Sequence, residues 1–176
     1  TPVSYTQNVY TLNDHTFDHT MAKLFKEQGY SVNAFHMNSS DFYSRGINYR
    51  SWGFDNYYGL VDIADYKNDE EELDRELILN KDFYDLMFKQ DGPFVDYIIT
   101  YTPHTPFETE DGVGRLVAEM KYGKGNIPSG LTEEDVVKLE AAETDYMVGL
   151  LIQALKDNDL YDNTVIVAYA DHYLYT

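Results

Sequence analysis

Three observations predict an α/β fold with a mostly parallel sheet flanked by helices on both faces. Helical and strand-like segments alternate along the chain. The strand candidates are near-continuous apolar runs. Each of those runs leads into a polar cluster that carries a histidine. Continuous apolar strands belong to parallel sheets, whose two faces are both covered by helices. Active sites in open sheets of this kind lie beyond the carboxyl ends of the strands. That rule makes His36, His104 and the adjacent Asp171-His172 candidates for one site.

The first helix is expected from about Thr16 to Gln28, where Phe17, Met21, Leu24 and Phe25 share a face and Gly29 supplies a stop. A short buried strand follows from Ser31 to His36 and ends in His36-Met37-Asn38-Ser39-Ser40-Asp41. Trp52, Phe54, Tyr57 and Tyr58 mark an irregular aromatic segment. The acidic run Asp69 to Glu72 then opens a second helix through about Gln90, with acid where a helix dipole favours it. Asp91-Gly92-Pro93 breaks that pattern, and Phe94 to Tyr101 is a strand running into Thr102-Pro103-His104-Thr105-Pro106-Phe107. Glycines 112, 114, 123, 125 and 130, with Pro128, make Glu108 to Gly130 a long loop with at most a short helix. Thr132, followed by Glu133, Glu134 and Asp135, caps a long helix reaching about Asp157. Thr164 to Ala170 then reads as a Val/Ile-rich strand ending at Asp171-His172.

With 176 residues the chain is long enough for one sizeable core. The 13 basic and 31 acidic residues leave a net charge of −18, which disfavours long-range attraction to nucleic acid and means that an anionic substrate needs a local positive site. The chain contains no cysteine, which excludes disulfides, thiolate ligands and a cysteine nucleophile. Thr1-Pro2-Val3-Ser4-Tyr5 has no leader character, and no stretch approaches the roughly 20 apolar residues of a membrane span. The 17 tyrosines fit half-buried packing better than a dedicated ligand surface.

Asp171-His172 offers a hard oxygen and an imidazole nitrogen to a divalent ion such as Mn²⁺ or Zn²⁺. His36, Asn38, Tyr43 and Arg45, within ten residues, combine imidazole, amide, phenol and guanidinium, a set suited to a phosphate or sulfate and a neighbouring hydroxyl. His104, between Pro103 and Pro106, sits in a stiff loop and can donate to an oxyanion. His15 and His19 have a metal-compatible spacing but no adjacent ligand cluster, and Asp69 to Glu72 lacks the alternating ligands of a calcium loop, so neither is a site candidate.

A set of motifs then stands in a distinctive order: Gln28-Gly29-Tyr30, Phe35-His36-Met37-Asn38, Phe42-Tyr43-Ser44-Arg45, Gly53-Phe54-Asp55, Thr102-Pro103-His104-Thr105-Pro106-Phe107, and Asp162-Asn163-Thr164-Val165-Ile166-Val167 before Asp171-His172-Tyr173. Together they resemble the lipoteichoic acid synthase family of phosphoglycerol transferases, within the sulfatase and alkaline phosphatase superfamily. The resemblance implies an alkaline phosphatase-like sheet and an extracellular catalytic domain tethered to the membrane. It also implies Mn²⁺-assisted transfer of glycerol phosphate from phosphatidylglycerol through a phospho-threonine. By position, Asp171 and His172 correspond to two metal ligands, and His36, Tyr43, Arg45 and His104 to residues holding the phosphoglycerol group. Tyr43 stands where the family commonly has Trp, and Asn38 where some members have Asp.

The resemblance places the nucleophilic Thr and a carboxylate ligand upstream of Thr1, so residues 1–176 are expected to be part of a catalytic domain, inactive alone. An anionic glycerophospholipid or polyglycerolphosphate is the implied partner, and membrane association is expected through segments outside this sequence. Two rivals accompany this reading. One is a sulfatase or phosphodiesterase of the same superfamily, although no C/S-x-P-x-R motif occurs here. The other is a non-catalytic domain that binds a glycan or cell-wall polymer.

Overall fold

The computed structural model describes Tyr10, residues 15–63 and residues 73–173. These fall into two compact units: residues up to 63 with 80–100 form the first, and 73–79 with 101–173 the second.

In the first unit, α1 (Met21–Glu27) leads to β1 (Ser31–His36), α2 (Arg45–Ser51), β2 (Asn56–Gly59), α3 (Leu60–Ile63), α5 (Lys81–Phe88) and β3 (Phe94–Ile99). The strands form one parallel sheet in the order β2-β1-β3, with Ala34 opposite Tyr57 and Tyr97, and His36 opposite Gly59 and Ile99. Strand alternation sends successive side chains of β1 to opposite faces. Val32 and Ala34 pack with Ala22 of α1 and Tyr49 of α2, while Phe35 meets Phe83 of α5 edge-on at 5.6 Å. Helices therefore cover both faces, as the apolar strands predict.

Several local expectations are corrected. The first helix starts at Met21 because the Thr20 side chain accepts the Lys23 N–H and caps it there, which leaves His15 and His19 outside the helix. The aromatic segment hides β2, and α2 stands just before it; their polar residues Asn56 and Asn48 obscure any apolar period. The expected helix start at Asp69 to Glu72 lies outside the described residues. The remainder of that expected helix is two helices, α4 (Glu76–Leu79) and α5, because Asn80 is extended and its side chain caps α5 by accepting from Asp82 and Phe83.

The second unit holds α4, α6 (Gly112–Tyr122) and α7 (Glu133–Asp157). Helix α6, 11 residues long, occupies about half of the expected loop. Gly114 is there for close approach rather than for flexibility, since a Cβ on it would stand 2.1 Å from the Glu108 carbonyl and 2.9 Å from Val136. Thr132 and Asp135 form a reciprocal capping box, and α7 ends at Asp157 as expected. Val113, Val117 and Ala118 of α6 form a core with Leu139 of α7 and Leu73.

Thr164 to Ala170 is not a strand. The second unit contains no strand among the described residues, so this segment has no ladder partner there, and Val165 and Val167 are 86% and 74% exposed. An apolar run becomes a strand only where an edge accepts its N–H and C=O groups.

Candidate functional site

The carboxyl end of β1 builds the first part of the site. His36 is the last residue of the strand, 3% exposed, and its Nδ1–H donates to the Ile99 carbonyl at the end of β3 (2.9 Å). That bond fixes the tautomer and leaves Nε2 as a lone-pair acceptor. Burial, reinforced by the nearby Arg45 charge, pushes the imidazole down to about 4, so His36 is neutral at physiological pH.

Beyond the strand, the Asn38 carbonyl accepts the Tyr57 hydroxyl (2.9 Å), and the Ser40 N–H donates to Asp62 (2.7 Å). Gly59 has to be glycine, because a Cβ there would lie 2.5 Å from the Asn38 carbonyl oxygen. The chain then turns through Tyr43 (φ 54°) and Ser44 (φ 52°), two left-handed residues that aim Arg45 at the start of α2. Such a conformation is unusual for a bulky side chain and marks functional turns. Asn48, fully buried one turn into α2, holds it by donating its amide to the carbonyls of Tyr43 and Tyr10, both at 3.1 Å.

Arg45 lies among the rings of Tyr10, Phe42 and Tyr43, its guanidinium carbon 5.4–5.8 Å from their centroids. Its Nε and Nη1 are buried and meet no hydrogen-bond acceptor among the described residues. Aromatic faces stabilise the cation but accept hydrogen bonds poorly, so these N–H groups are set for an incoming oxyanion. His36, Asn38, Tyr43 and Arg45 thus gather in the first unit, with Tyr57 and the positioning Asn48 added by the structure.

His104, Asp171 and His172 belong to the second unit. His104 is exposed and stacks on Tyr101 (5.0 Å, 21°) between cis bonds at Thr102–Pro103 and Thr105–Pro106. Its backbone N–H donates to buried Glu140 of α7 (2.9 Å). Asp74 accepts from the N–H groups of Tyr101 and Thr102, both at 2.8 Å, and from the Thr102 hydroxyl. Burial raises Asp74 and lifts Glu140 to about 7. Arg75 pairs with buried Glu143 through side chain and backbone.

Glu140 and Glu143 escape a first reading of the sequence because acids are expected on solvated faces. The available signal is their spacing of 4 and 7 from Val136, on the stripe that continues through Met147.

His172 donates its Nδ1–H to the Tyr173 carbonyl (2.8 Å), and its Nε2 lies 3.6 Å from Asp171 Oδ1. One oxygen and one nitrogen donor side by side fit two members of a metal ligand set. No group of three or more His, Asp or Glu side chains able to hold a metal is gathered among the described residues.

A parallel sheet with a caged arginine beyond its strand ends puts a cation where open α/β sheets bind their ligands. A family model described as Sulfatase matches residues 3–176, and the chain belongs to that family. It is 30% identical over 162 residues to a lipoteichoic acid synthase from Staphylococcus aureus and 28% identical over 164 residues to one from Staphylococcus saprophyticus. Each alignment covers 91% of this chain and 24% of the relative, so the chain spans about a quarter of their length. The crystal structure of the lipoteichoic acid synthase LtaP from Listeria monocytogenes superposes with TM-score 0.66 at 25% identity, over 90% of this chain and 37% of that one. An alkaline phosphatase superfamily protein from Vibrio parahaemolyticus (TM-score 0.60, 22% identity, 92% and 37% coverage) shares the fold. No described helix is long and apolar enough to cross a membrane.

Proposed function

We propose that this chain is part of the catalytic domain of a phosphoglycerol transferase that acts on an anionic glycerophospholipid head group, as in lipoteichoic acid synthesis. The observation that carries the reading is Arg45, a caged guanidinium with two buried N–H groups lacking acceptors. Similarity to lipoteichoic acid synthases selects phosphoglycerol among the anions it would take. A protein of net charge −18 binds such a group through a confined cation, because distant carboxylates are screened beyond about 8–10 Å.

In this reading Arg45 grips phosphate oxygens and Tyr43 lines the head group. His36, neutral with Nε2 as acceptor, takes a hydroxyl rather than a second phosphate oxygen. Asn38 follows His36 by two residues, and His104, its Nδ1–H given to the Thr105 carbonyl, would meet the phosphoglycerol group through Nε2. Positioning and neutralisation are most of what phosphoryl transfer asks of a protein. Asp171 and His172 would hold a divalent ion such as Mn²⁺, which when bound supplies further charge neutralisation. The nucleophile in this reading is a threonine outside residues 1–176, and the full-length protein works at the extracellular face of the membrane on a lipid or polyglycerolphosphate, not on nucleic acid.

The test is diacylglycerol release from phosphatidylglycerol by the full-length protein. Chelation should abolish release and Mn²⁺ restore it, and His172→Ala should lower it by at least 10³-fold. Full activity in His172→Ala would remove the metal assignment. The family match also supports a second reading, sulfate-ester hydrolysis, since Arg45 would grip sulfate equally well. Cleavage of an aryl sulfate without release of diacylglycerol would decide for it.

A further inference from the structure

We propose that Glu140 is the positioning residue for His104, acting from α7 through the loop backbone rather than by contact with substrate. The inference rests on the functional reading above, in which His104 meets the phosphoglycerol group.

Glu140 is 1% exposed and stands on the apolar stripe of α7 between Val136 and Met147, a place where Leu or Met would add stability. A buried carboxylate there is costly, the more so with Oε1 lacking a partner among the described residues. The other oxygen, Oε2, accepts the backbone N–H of His104. One turn along α7, the Thr144 hydroxyl donates to the Thr102 carbonyl (2.8 Å), and Asp74 takes the Tyr101 and Thr102 amides from the other side. Three polar side chains therefore converge on three of the four loop residues from Tyr101 to His104, namely Tyr101, Thr102 and His104. Only the Glu140 bond falls on His104 itself. A carboxylate that contributes little to the core, yet holds the backbone of an exposed histidine, is explained by the placement of that imidazole. A displacement of about 1 Å at such a group can cost a hundredfold in rate.

A double-mutant cycle in the full-length protein tests this, reading kcat and KM for phosphatidylglycerol at enzyme concentrations that keep the His104→Ala rate measurable. Glu140→Ala should lower kcat/KM tenfold or more with His104 present and less than twofold in the His104→Ala background. Glu140→Gln, which keeps an acceptor for the His104 amide, should recover most of that loss. Should Glu140→Ala fail to fold, Glu140→Leu, which fills the apolar stripe of α7 while removing the acceptor for the His104 amide, carries the same cycle. Losses of equal factor in both backgrounds, or no loss with His104 present, would overturn the proposal. An inactive wild-type protein would overturn the functional reading itself, an outcome distinct from an active wild type whose losses do not couple.

Discussion

Arg45 and His36 stand near each other with different charges. Arg45 stays cationic because guanidinium cannot lose its proton in a protein. His36 stays neutral because burial and that same cation oppose protonation. Replacing Arg45 by Lys would keep the charge but lose the planar fork and the stacking on Tyr10 and Tyr43, so kcat/KM of the full-length enzyme should fall by about tenfold or more. An NMR titration should find the His36 ring unprotonated from pH 8 down to about 5. Both Arg45 and His36 are candidates in the sequence because their residue types carry the chemistry. Asn48 is not: an amide inside a helix betrays nothing until its two acceptors, the carbonyls of Tyr10 and Tyr43, are brought to it by the fold.

At the scale of elements, what was legible followed from unambiguous local signals. Strand β1 matches its expected range because its apolar run is bounded on both sides, and α7 matches because Thr132 and Asp135 form a complete cap. What was misread depended on tertiary context. Glycine in α6 looks like a loop signal until Gly114 is seen against the Glu108 carbonyl, and Val165-Ile166-Val167 looks like a strand but has no edge to join in its unit. Gly114→Ala should therefore destabilise the protein by about 2 kcal/mol or more. Gly149→Ala on α7, whose Cβ would meet nothing within 4 Å, should stabilise it by about 0.5–1 kcal/mol. Urea unfolding of both variants checks the pair; similar effects would contradict the packing of α6 on α7. Val167→Ser should shift stability by less than about 0.5 kcal/mol, as expected for an exposed position.

Over the whole molecule, buried ionisable groups set how stability varies with pH. Asp96 of β3 is lifted to about 7 by burial despite hydrogen bonds from Gln90, and Glu140 is lifted similarly. Between their ordinary values and pH 7 the folded chain holds protons that the unfolded chain has released, so both make stability fall as pH rises. Asp74 adds in the same direction. His36 opposes them between about pH 4 and 6.5, where only the unfolded chain is protonated. The carboxyls outnumber it, so unfolding free energy should decline from pH 5 to pH 8, and Asp96→Asn and Glu140→Gln should each flatten the decline. A stability that rises over this range would contradict the assignment.

The central claim is that Arg45 receives the phosphate of a phosphoglycerol group. Calorimetric titration of glycerol phosphate into the full-length protein and its Arg45→Ala variant tests it most directly. The account predicts saturable binding that weakens at least tenfold in the variant and more steeply with salt in the wild type. Equal affinity in the two proteins would contradict it.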